Sequence, residues 1–371
     1  MKKLLILIFI SSCFASVAQQ TINASITHDG GQRDYILYVP ASYDGSTAVP
    51  LLMCFHGYGS NNNNIMTYSN FNSLADTANF IAVYPLGTVY GGFTHWNVGG
   101  WTTGSTVDDV GFVDALIDSL DMDYNLDLDR VYSTGMSNGG YMSFLLACQL
   151  SDQIAAIASV TGSMTTNTFD ACSPQHPTPV LQIHGDNDGT VPYNGASWSK
   201  SIPDVLDYWR GYNNAGSMDT TDIQNTAPWD NSYVDHIHSD VGDNCTFVEH
   251  FKVYGGDHDW PGAWGNMDIN ASHEVWNFLR QFTINGIEGC FVSIEDQKEF
   301  TDVSVYPNPT NGNIMIKSSH QIDEIVIFGM DGRIIESHQA SDINISHLPM
   351  GTYLLLIRSG NFVIKERVVK I

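Results

Sequence analysis

The run Gly135-Met136-Ser137-Asn138-Gly139-Gly140 follows the apolar, β-branched stretch Arg130-Val131-Tyr132-Ser133-Thr134. It precedes Tyr141-Met142-Ser143-Phe144-Leu145-Leu146-Ala147, which has helical character. Strand, tight turn and helix in that order leave few folds open. The turn must reverse the chain around one serine, and glycine is required on both sides because a neighbouring Cβ would clash with the strained backbone. Such a turn lifts its serine out at the end of a sheet and makes Ser137 the candidate nucleophile. A bare Gly-x-Ser-x-Gly is more often an ordinary turn, so the flanking pattern and further partners have to carry the reading.

Two partners follow in order. Pro179-Val180-Leu181-Gln182-Ile183 reads as a buried strand and runs into the Asp- and Gly-rich turn from His184 to Tyr193. Phe251-Lys252-Val253-Tyr254 reads as another strand and opens into Gly255-Gly256-Asp257-His258-Asp259-Trp260-Pro261-Gly262. Ser, Asp and His thus appear in the chain order of α/β-hydrolases, each just past a predicted strand. In a parallel sheet the reactive groups gather at the carboxyl ends of the strands. A serine hydroxyl is a poor nucleophile at neutral pH; an adjacent histidine takes its proton, and a buried aspartate fixes the imidazole tautomer. Pro50 to Phe55 is a further apolar strand ending in His56-Gly57-Tyr58-Gly59. In this fold an oxyanion hole takes one donor from the loop after that strand and one from the residue after the nucleophile, here the backbone N–H groups of Tyr58 and Asn138. Taken alone, His56-Gly57 reads equally well as a strand-ending turn.

These residues resemble a known family. His56 to Gly59, Trp96-Asn97-Val98-Gly99-Gly100, Val107 to Phe112, the Ser137 motif, His184 to Tyr193 and Gly255 to Gly262 look like the polyhydroxybutyrate-depolymerase-like esterases. That group overlaps the feruloyl and acetylxylan esterases of carbohydrate esterase family one. The resemblance covers about Thr27 to Phe282. It implies Ser137 as nucleophile, Asp188 as orienting acid and His258 as base. Asp188 rather than Asp186 matches the family's His-Gly-x-x-Asp-x-x-Val-Pro pattern; Asp186 suits a hydrogen bond from its own turn. Many relatives have paired cysteines where this chain has Trp101-Thr102-Thr103, which leaves substrate choice open.

The chain begins Met1-Lys2-Lys3, then a short apolar run and small residues through Ala18, the pattern of a signal peptide over 1–18. A lipoprotein site at Cys13 is the alternative. No later stretch is long enough for a transmembrane segment. With 15 Lys+Arg against 40 Asp+Glu, the surface is acidic. That argues against nucleic acid or anionic lipid as partners and disfavours strongly acidic polysaccharides. Cys54, Cys148, Cys172, Cys245 and Cys290 enter an oxidising compartment. Their pairing is undetermined, though Cys54 in mid-strand reads as a buried hydrophobe.

Strands and amphipathic helices alternate through 19–285, predicting an α/β-hydrolase with a mostly parallel central sheet. Asn70 to Ala78 and Val110 to Leu120 have helical spacing, whereas Trp209 to Phe247 reads as an insertion or irregular excursion. A linker over 286–300 leads to 301–371, where short alternating strands and turns such as Met330-Asp331-Gly332-Arg333 and Ser359-Gly360-Asn361 predict a small all-β sandwich. Val305 to Thr310, Gly351 to Leu354 and the ending Val368 to Ile371 resemble the type A C-terminal sorting domain of the type IX secretion system of Bacteroidetes. The resemblance implies that secretion machinery as a partner. A carbohydrate-binding or adhesion sandwich is the alternative.

Other constellations have plainer readings. Asp108-Asp109 suits a helix cap more than an acid/base pair or calcium ligands. His236 and His238 on one strand face lack a third ligand for a metal, and no cofactor is implied. Trp101 and Trp260 suit either a substrate pocket or the core. The reading is an exported serine esterase, secreted or surface-attached. Its substrate is a feruloyl- or acetyl-decorated polysaccharide, or alternatively an aliphatic polyester. A non-catalytic binding protein on the same scaffold is the competing class, and a serine peptidase is a weaker third.

Overall fold

The computed structural model describes residues 19–287, 290 and 303–371, apart from 319–320, 330–333, 340 and 360–361. The expected signal peptide with its Cys13 alternative, most of the expected linker, the turn at 330–333 and the tip at 360–361 lie outside the described residues. The chain divides into two compact units between Gly289 and Cys290.

The first unit holds one 10-stranded sheet. Its strands and covering helices run β1 (Gln20–His28), β2 (Gly31–Val39), β3 (Val49–Phe55), α1 (Asn62–Ser69), α2 (Phe71–Ala78), β4 (Ile81–Pro85), the small hairpin β5 (Thr88–Tyr90) and β6 (Phe93–His95), and α3 (Asp109–Asp123). They continue with β7 (Leu126–Met136), α4 (Asn138–Gln149), β8 (Ala156–Val160), α5 (Thr166–Ala171), β9 (Val180–Gly185), α6 (Ile202–Tyr212), β10 (Met218–Asp222), β11 (Tyr233–Ser239), β12 (Val248–Tyr254) and α7 (Ala271–Leu279). The strand order is β1-β2-β4-β3-β7-β8-β9-β12-β11-β10. From β4 to β12 every neighbouring pair is parallel. β1–β2, β2–β4, β12–β11 and β11–β10 are antiparallel. This is the α/β-hydrolase arrangement, with a parallel centre and antiparallel edges.

Residues along β3 alternate between two cores. Leu51, Met53 and Phe55 pack with Phe112, Leu116, Val205 and Trp209 from α3 and α6 on one face. Leu52 and Cys54 pack with Ile65, Phe71, Val275 and Trp276 from α1, α2 and α7 on the other. Both faces are covered, which is why the central strands read as unbroken apolar runs. The segment expected to be irregular, Trp209 to Phe247, instead contributes the edge strand β10 and, next to it, β11. Polar Asp, Thr and His alternation hid them, because an edge strand buries little. α3 is capped by Asp108, whose carboxylate accepts the Gly111 N–H at 2.9 Å.

Cys148 and Cys172 form a disulfide, and Cys54 is free and buried. A short hairpin, β13 (Phe282–Thr283) with β14 (Gly286–Ile287), follows α7.

In the second unit β15 (Ser304–Tyr306) and β16 (Asn313–Lys317) belong to a 3-stranded sheet, and β17 (Glu324–Gly329) and β18 (Ile334–His338) to a 4-stranded one. β19 (Asp342–Asn344) completes the first, while β20 (Gly351–Ser359) and β21 (Phe362–Lys370) complete the second. Ile314, Ile316 and Ile343 from one sheet share a core with Ile325, Ile327, Leu355 and Ile357 from the other, making a small antiparallel β-sandwich.

Candidate active site

Ser137 stands between β7 and α4 with φ 56° and ψ −120°. This left-handed conformation is costly for a residue with a Cβ and persists only where the surroundings impose it. Here the Ser137 N–H donates to Val160 O at 2.9 Å and Ser137 O accepts the Tyr141 N–H at 3.0 Å. The flanking glycines allow the approach. A Cβ on Gly139 would lie 2.0 Å from Phe55 O, and one on Gly135 would lie 2.6 Å from the same atom. The helix therefore packs its first turn directly on the end of β3, and the serine is pushed out at the carboxyl edge.

β9 and β12 bring two loops to that edge. His258 Nδ1–H donates to Asp188 Oδ2 at 2.8 Å, with Asp188 buried and the His258 side chain 19% exposed. The other Asp188 oxygen accepts the N–H groups of Thr190 and Val191, each at 2.8 Å. Burial acts to raise the Asp188 pKa, but the hydrogen bond and charge of His258 and the Val191 N–H outweigh it and hold the carboxyl below its usual value. Behind it, His184 Nε2–H donates to Val191 O at 2.8 Å and lies 3.4 Å from Asp188 Oδ2. Burial lowers the His184 pKa to about 4, so this ring is a neutral prop. Among the described residues Nε2 of His258 has no hydrogen-bond partner and is free to meet a hydroxyl.

The two loops are stitched together. Asp186 N–H donates to Val253 O at 2.9 Å, Asn187 N–H to Gly256 O at 3.0 Å and Gly189 N–H to Asp257 Oδ1 at 3.1 Å. The Asp188–His258 pair thus rests on a braced frame, of the kind that a site needing sub-ångström placement requires.

The β3 exit forms the other side of the Ser137 surroundings. A Cβ built on Gly57 would lie 3.4 Å from Ser137 Cβ and 3.9 Å from its Oγ, so this loop lines the serine. Among the described residues the Tyr58 N–H makes no hydrogen bond. The Asn138 N–H is the first of helix α4, where backbone donors lack intrahelical partners. The loop is anchored: His56 Nδ1–H donates to Gly57 O at 2.8 Å, and His56 Nε2 accepts the Gly87 N–H at 3.0 Å. Burial lowers the His56 pKa to about 4, which fits a structural ring.

The Asn138 side chain has a role that sequence reasoning did not assign. Its Oδ1 accepts the Trp96 N–H at 2.7 Å and its Nδ2 donates to Trp96 O at 3.1 Å. The Trp96 indole N–H in turn donates to His56 O at 2.9 Å. Asp109, buried in an ion pair with Arg33 at 2.6 Å, accepts the next N–H, that of Asn97, at 2.7 Å. One strap, Trp96-Asn97, therefore joins the loop after β3 to the first residue of α4. The Trp96-Asn97-Val98-Gly99-Gly100 motif was visible in sequence, but nothing local linked it to Asn138.

The family described as Esterase PHB depolymerase matches residues 33–185, and the Secretion system C-terminal sorting domain matches residues 304–371. Residues 33–185 thus match an esterase domain of the PHB-depolymerase type. The sorting domain marks the chain for export, to be secreted or held at the cell surface.

The esterase domain is similar to a bifunctional acetylxylan esterase/xylanase of Neocallimastix patriciarum, 28% identical over 72% of this chain and 36% of that protein. It is also similar to a putative esterase of Nocardia uniformis subsp. tsuyamanensis, 29% identical over 67% of this chain and 76% of that one. A probable feruloyl esterase C of Aspergillus clavatus is 32% identical over 44% of this chain and 57% of its own. The chain therefore spans about a third of the length of the first of these and just over half of the third. The acetyl xylan esterase from Aspergillus awamori shares the fold, with a TM-score of 0.50 at 14% identity, covering 70% of this chain and 98% of that one.

Two tryptophans divide. Trp260 is not a pocket residue of the esterase domain: it is 1% exposed, donates to Ser272 Oγ at 3.0 Å and packs with Tyr68 and Phe71 in the core. Its ring packs inward onto α1 and α2. Trp101 is half-buried, edge-on to Tyr141 and Trp198, each at 4.9 Å, against the first turn of α4. His236, one of the two expected strand histidines, stacks on Phe251 at 4.3 Å and bonds Glu249 at 3.1 Å.

Proposed function

We propose that the protein is an exported serine esterase acting on acetyl or feruloyl esters of plant or algal polysaccharide. The Asp188–His258 hydrogen bond at 2.8 Å, on the same sheet edge as the strained Ser137, carries this reading. Ser137 Oγ attacks the ester carbonyl while His258 Nε2 takes its proton. The carbonyl oxygen, now negative, receives hydrogen bonds from the Tyr58 and Asn138 N–H groups. His258 returns the proton to the departing alcohol oxygen, leaving an acyl-Ser137. Water, deprotonated by His258, then releases the acid and restores the serine. Trp101, beside the helix that carries Asn138, borders the substrate in this proposal.

The named activities of the relatives support polysaccharide esters. The description of the matching family favours a second reading, a polyester depolymerase. The 304–371 domain would engage the type IX secretion machinery. Purified protein and its Ser137→Ala variant should be assayed on p-nitrophenyl acetate, methyl ferulate, acetylated xylan and polyhydroxybutyrate. Hydrolysis of the first three, lost by about 10⁴-fold or more in the variant, is expected. Turnover of polyhydroxybutyrate alone would favour the second reading. Undiminished activity in Ser137→Ala would reject both.

A further inference from the structure

We propose that Trp264 and Trp229 form an aromatic platform that binds the neutral polysaccharide chain carrying the scissile ester. The inference rests on the esterase reading above and names how the polymeric part of its substrate is held.

Both rings stand at the catalytic end of the sheet. The loop holding Trp264 follows β12 and His258. Trp229 lies in the turn Pro228–Asp230 just before β11, and β11 begins with Tyr233 opposite Tyr254, the last residue of β12. The Trp264 ring meets Tyr68 edge-on at 4.9 Å, and the Tyr68 hydroxyl donates to the sulfur of Met136 at 3.4 Å, the residue before Ser137. Trp264 is therefore two contacts from the nucleophile. The two loops are tied to each other: Asp230 Oδ2 accepts the Met267 N–H at 2.9 Å, Asn266 Nδ2 donates to Ser232 Oγ at 2.7 Å, and Asp268 Oδ1 accepts the Ala227 N–H at 2.9 Å.

Trp264 is 38% exposed, Met267 45% and Trp229 74%. Polar bonds brace the Trp229 turn, and among the described residues its indole meets no other ring, so the fold has little use for an indole there. Large apolar side chains left in water on a braced loop beside a reactive site mark a binding surface. Indoles separated by Asp and Asn match the alternation of a sugar chain, whose C–H faces stack on rings while its hydroxyls bond carboxylates and amides. An aliphatic polyester would call for an unbroken apolar strip. The net charge of −25 repels an acidic chain and leaves a neutral one.

The test uses the full chain carrying Ser137→Ala, so that esters survive. Retention on insoluble acetylated xylan and on polyhydroxybutyrate granules is measured with and without Trp229→Ala and Trp264→Ala. Thermal midpoints verify folding, and a Trp229→Tyr/Trp264→Tyr protein serves as the variant that keeps a ring. The alanine pair should weaken xylan binding by about 10-fold or more, the loss of a well-placed aromatic contact or two; the tyrosine pair should retain most of it. In the enzyme with Ser137 intact, the alanine pair should also lower the ratio of kcat/KM on acetylated xylan to that on p-nitrophenyl acetate. Ring-independent retention on xylan, no retention at all, or a loss confined to polyhydroxybutyrate each overturns the platform. A protein inactive on every ester yet held on xylan through these rings would fail the esterase reading and not this one.

Discussion

Asp186 accepts the Gly255 N–H at 2.7 Å, a bond between the exits of neighbouring strands and not within its own turn. Asp188, two residues later, reaches His258 instead. Sequence pattern gives these two carboxylates different jobs; in the structure Asp186 bonds Gly255 rather than its own turn, and Asp188 bonds His258. Asp188→Asn leaves a side chain that can donate to His258 Nδ1 and stabilise the wrong tautomer. kcat should fall by about 10³–10⁴-fold. Asp186→Ala removes one charge-assisted bond from an exposed turn and should cost about 1–2 kcal/mol of stability with activity retained. Measuring kcat and thermal midpoint for both decides the matter. A dead Asp186→Ala enzyme beside an active Asp188→Asn enzyme would reverse the assignment.

The double bond between Asn138 and Trp96 leads to a second expectation. Asn138→Ala leaves the Trp96 N–H and C=O buried without partners, costing about 2–4 kcal/mol. It also frees the backbone that points the Asn138 N–H, so kcat should drop by about 10²-fold, the scale of losing an oxyanion donor. KM should change little, because the donor acts on charge that develops only in the transition state. A variant that loses stability but keeps kcat would show that the side chain merely packs the strap.

The elements that position Ser137, Asp188 and His258 were legible because they are local. Val180 to Ile183 and Phe251 to Tyr254 are apolar runs closed by Asp and Gly, and Ser137 sits between its own strand and helix. The helix starting near Val110 announced itself through Asp108. What escaped were features made by distance or by edges. β1 buries only alternate residues, and only partly, so Gln20 to His28 resembles a loop. β10 is exposed almost throughout. The Arg33–Asp109 pair joins residues far apart in the chain, and either partner alone looks like a surface charge. Trp260 was ambiguous because an indole next to a catalytic histidine suits substrate and core equally. Its burial against Tyr68 and Phe71, made by distant chain, settles its direction.

Ser137 itself stores strain, and this gives an expectation opposite to the usual effect of glycine. Replacing a residue by glycine rather than alanine ordinarily destabilises by about 0.5–1 kcal/mol. At φ 56° and ψ −120° the alanine keeps the Cβ penalty and glycine does not. Relief of about 1–3 kcal/mol of backbone strain should more than offset glycine's entropy. Ser137→Gly should therefore unfold at a higher temperature than Ser137→Ala, with both inactive. The ordinary order, alanine above glycine, would mean the elbow is not strained in solution.

Three buried histidines set the acid limit of stability. Burial, opposed in each case by a backbone hydrogen bond, lowers His56 and His184 to about 4 and His250 to about 3. Unfolded imidazoles titrate near 6.5. Below that pH the unfolded chain binds protons that the folded chain refuses, so stability is fully present above about 6.5 and is lost as the pH falls toward 4. Each histidine contributes a slope of about 1.4 kcal/mol per pH unit inside that window. His250 offers the cleanest probe, since its Nδ1–H donates to Gln182 O at 2.9 Å and its Nε2 accepts the Tyr193 hydroxyl at 3.1 Å, away from the triad. A glutamine can donate and accept there without titrating. Denaturant unfolding followed from pH 7 to pH 4 should show stability falling throughout, and His250→Gln should flatten the curve by about one histidine's slope. A stability that does not change over this range, or a variant with the slope of the native chain, would place the acid sensitivity elsewhere.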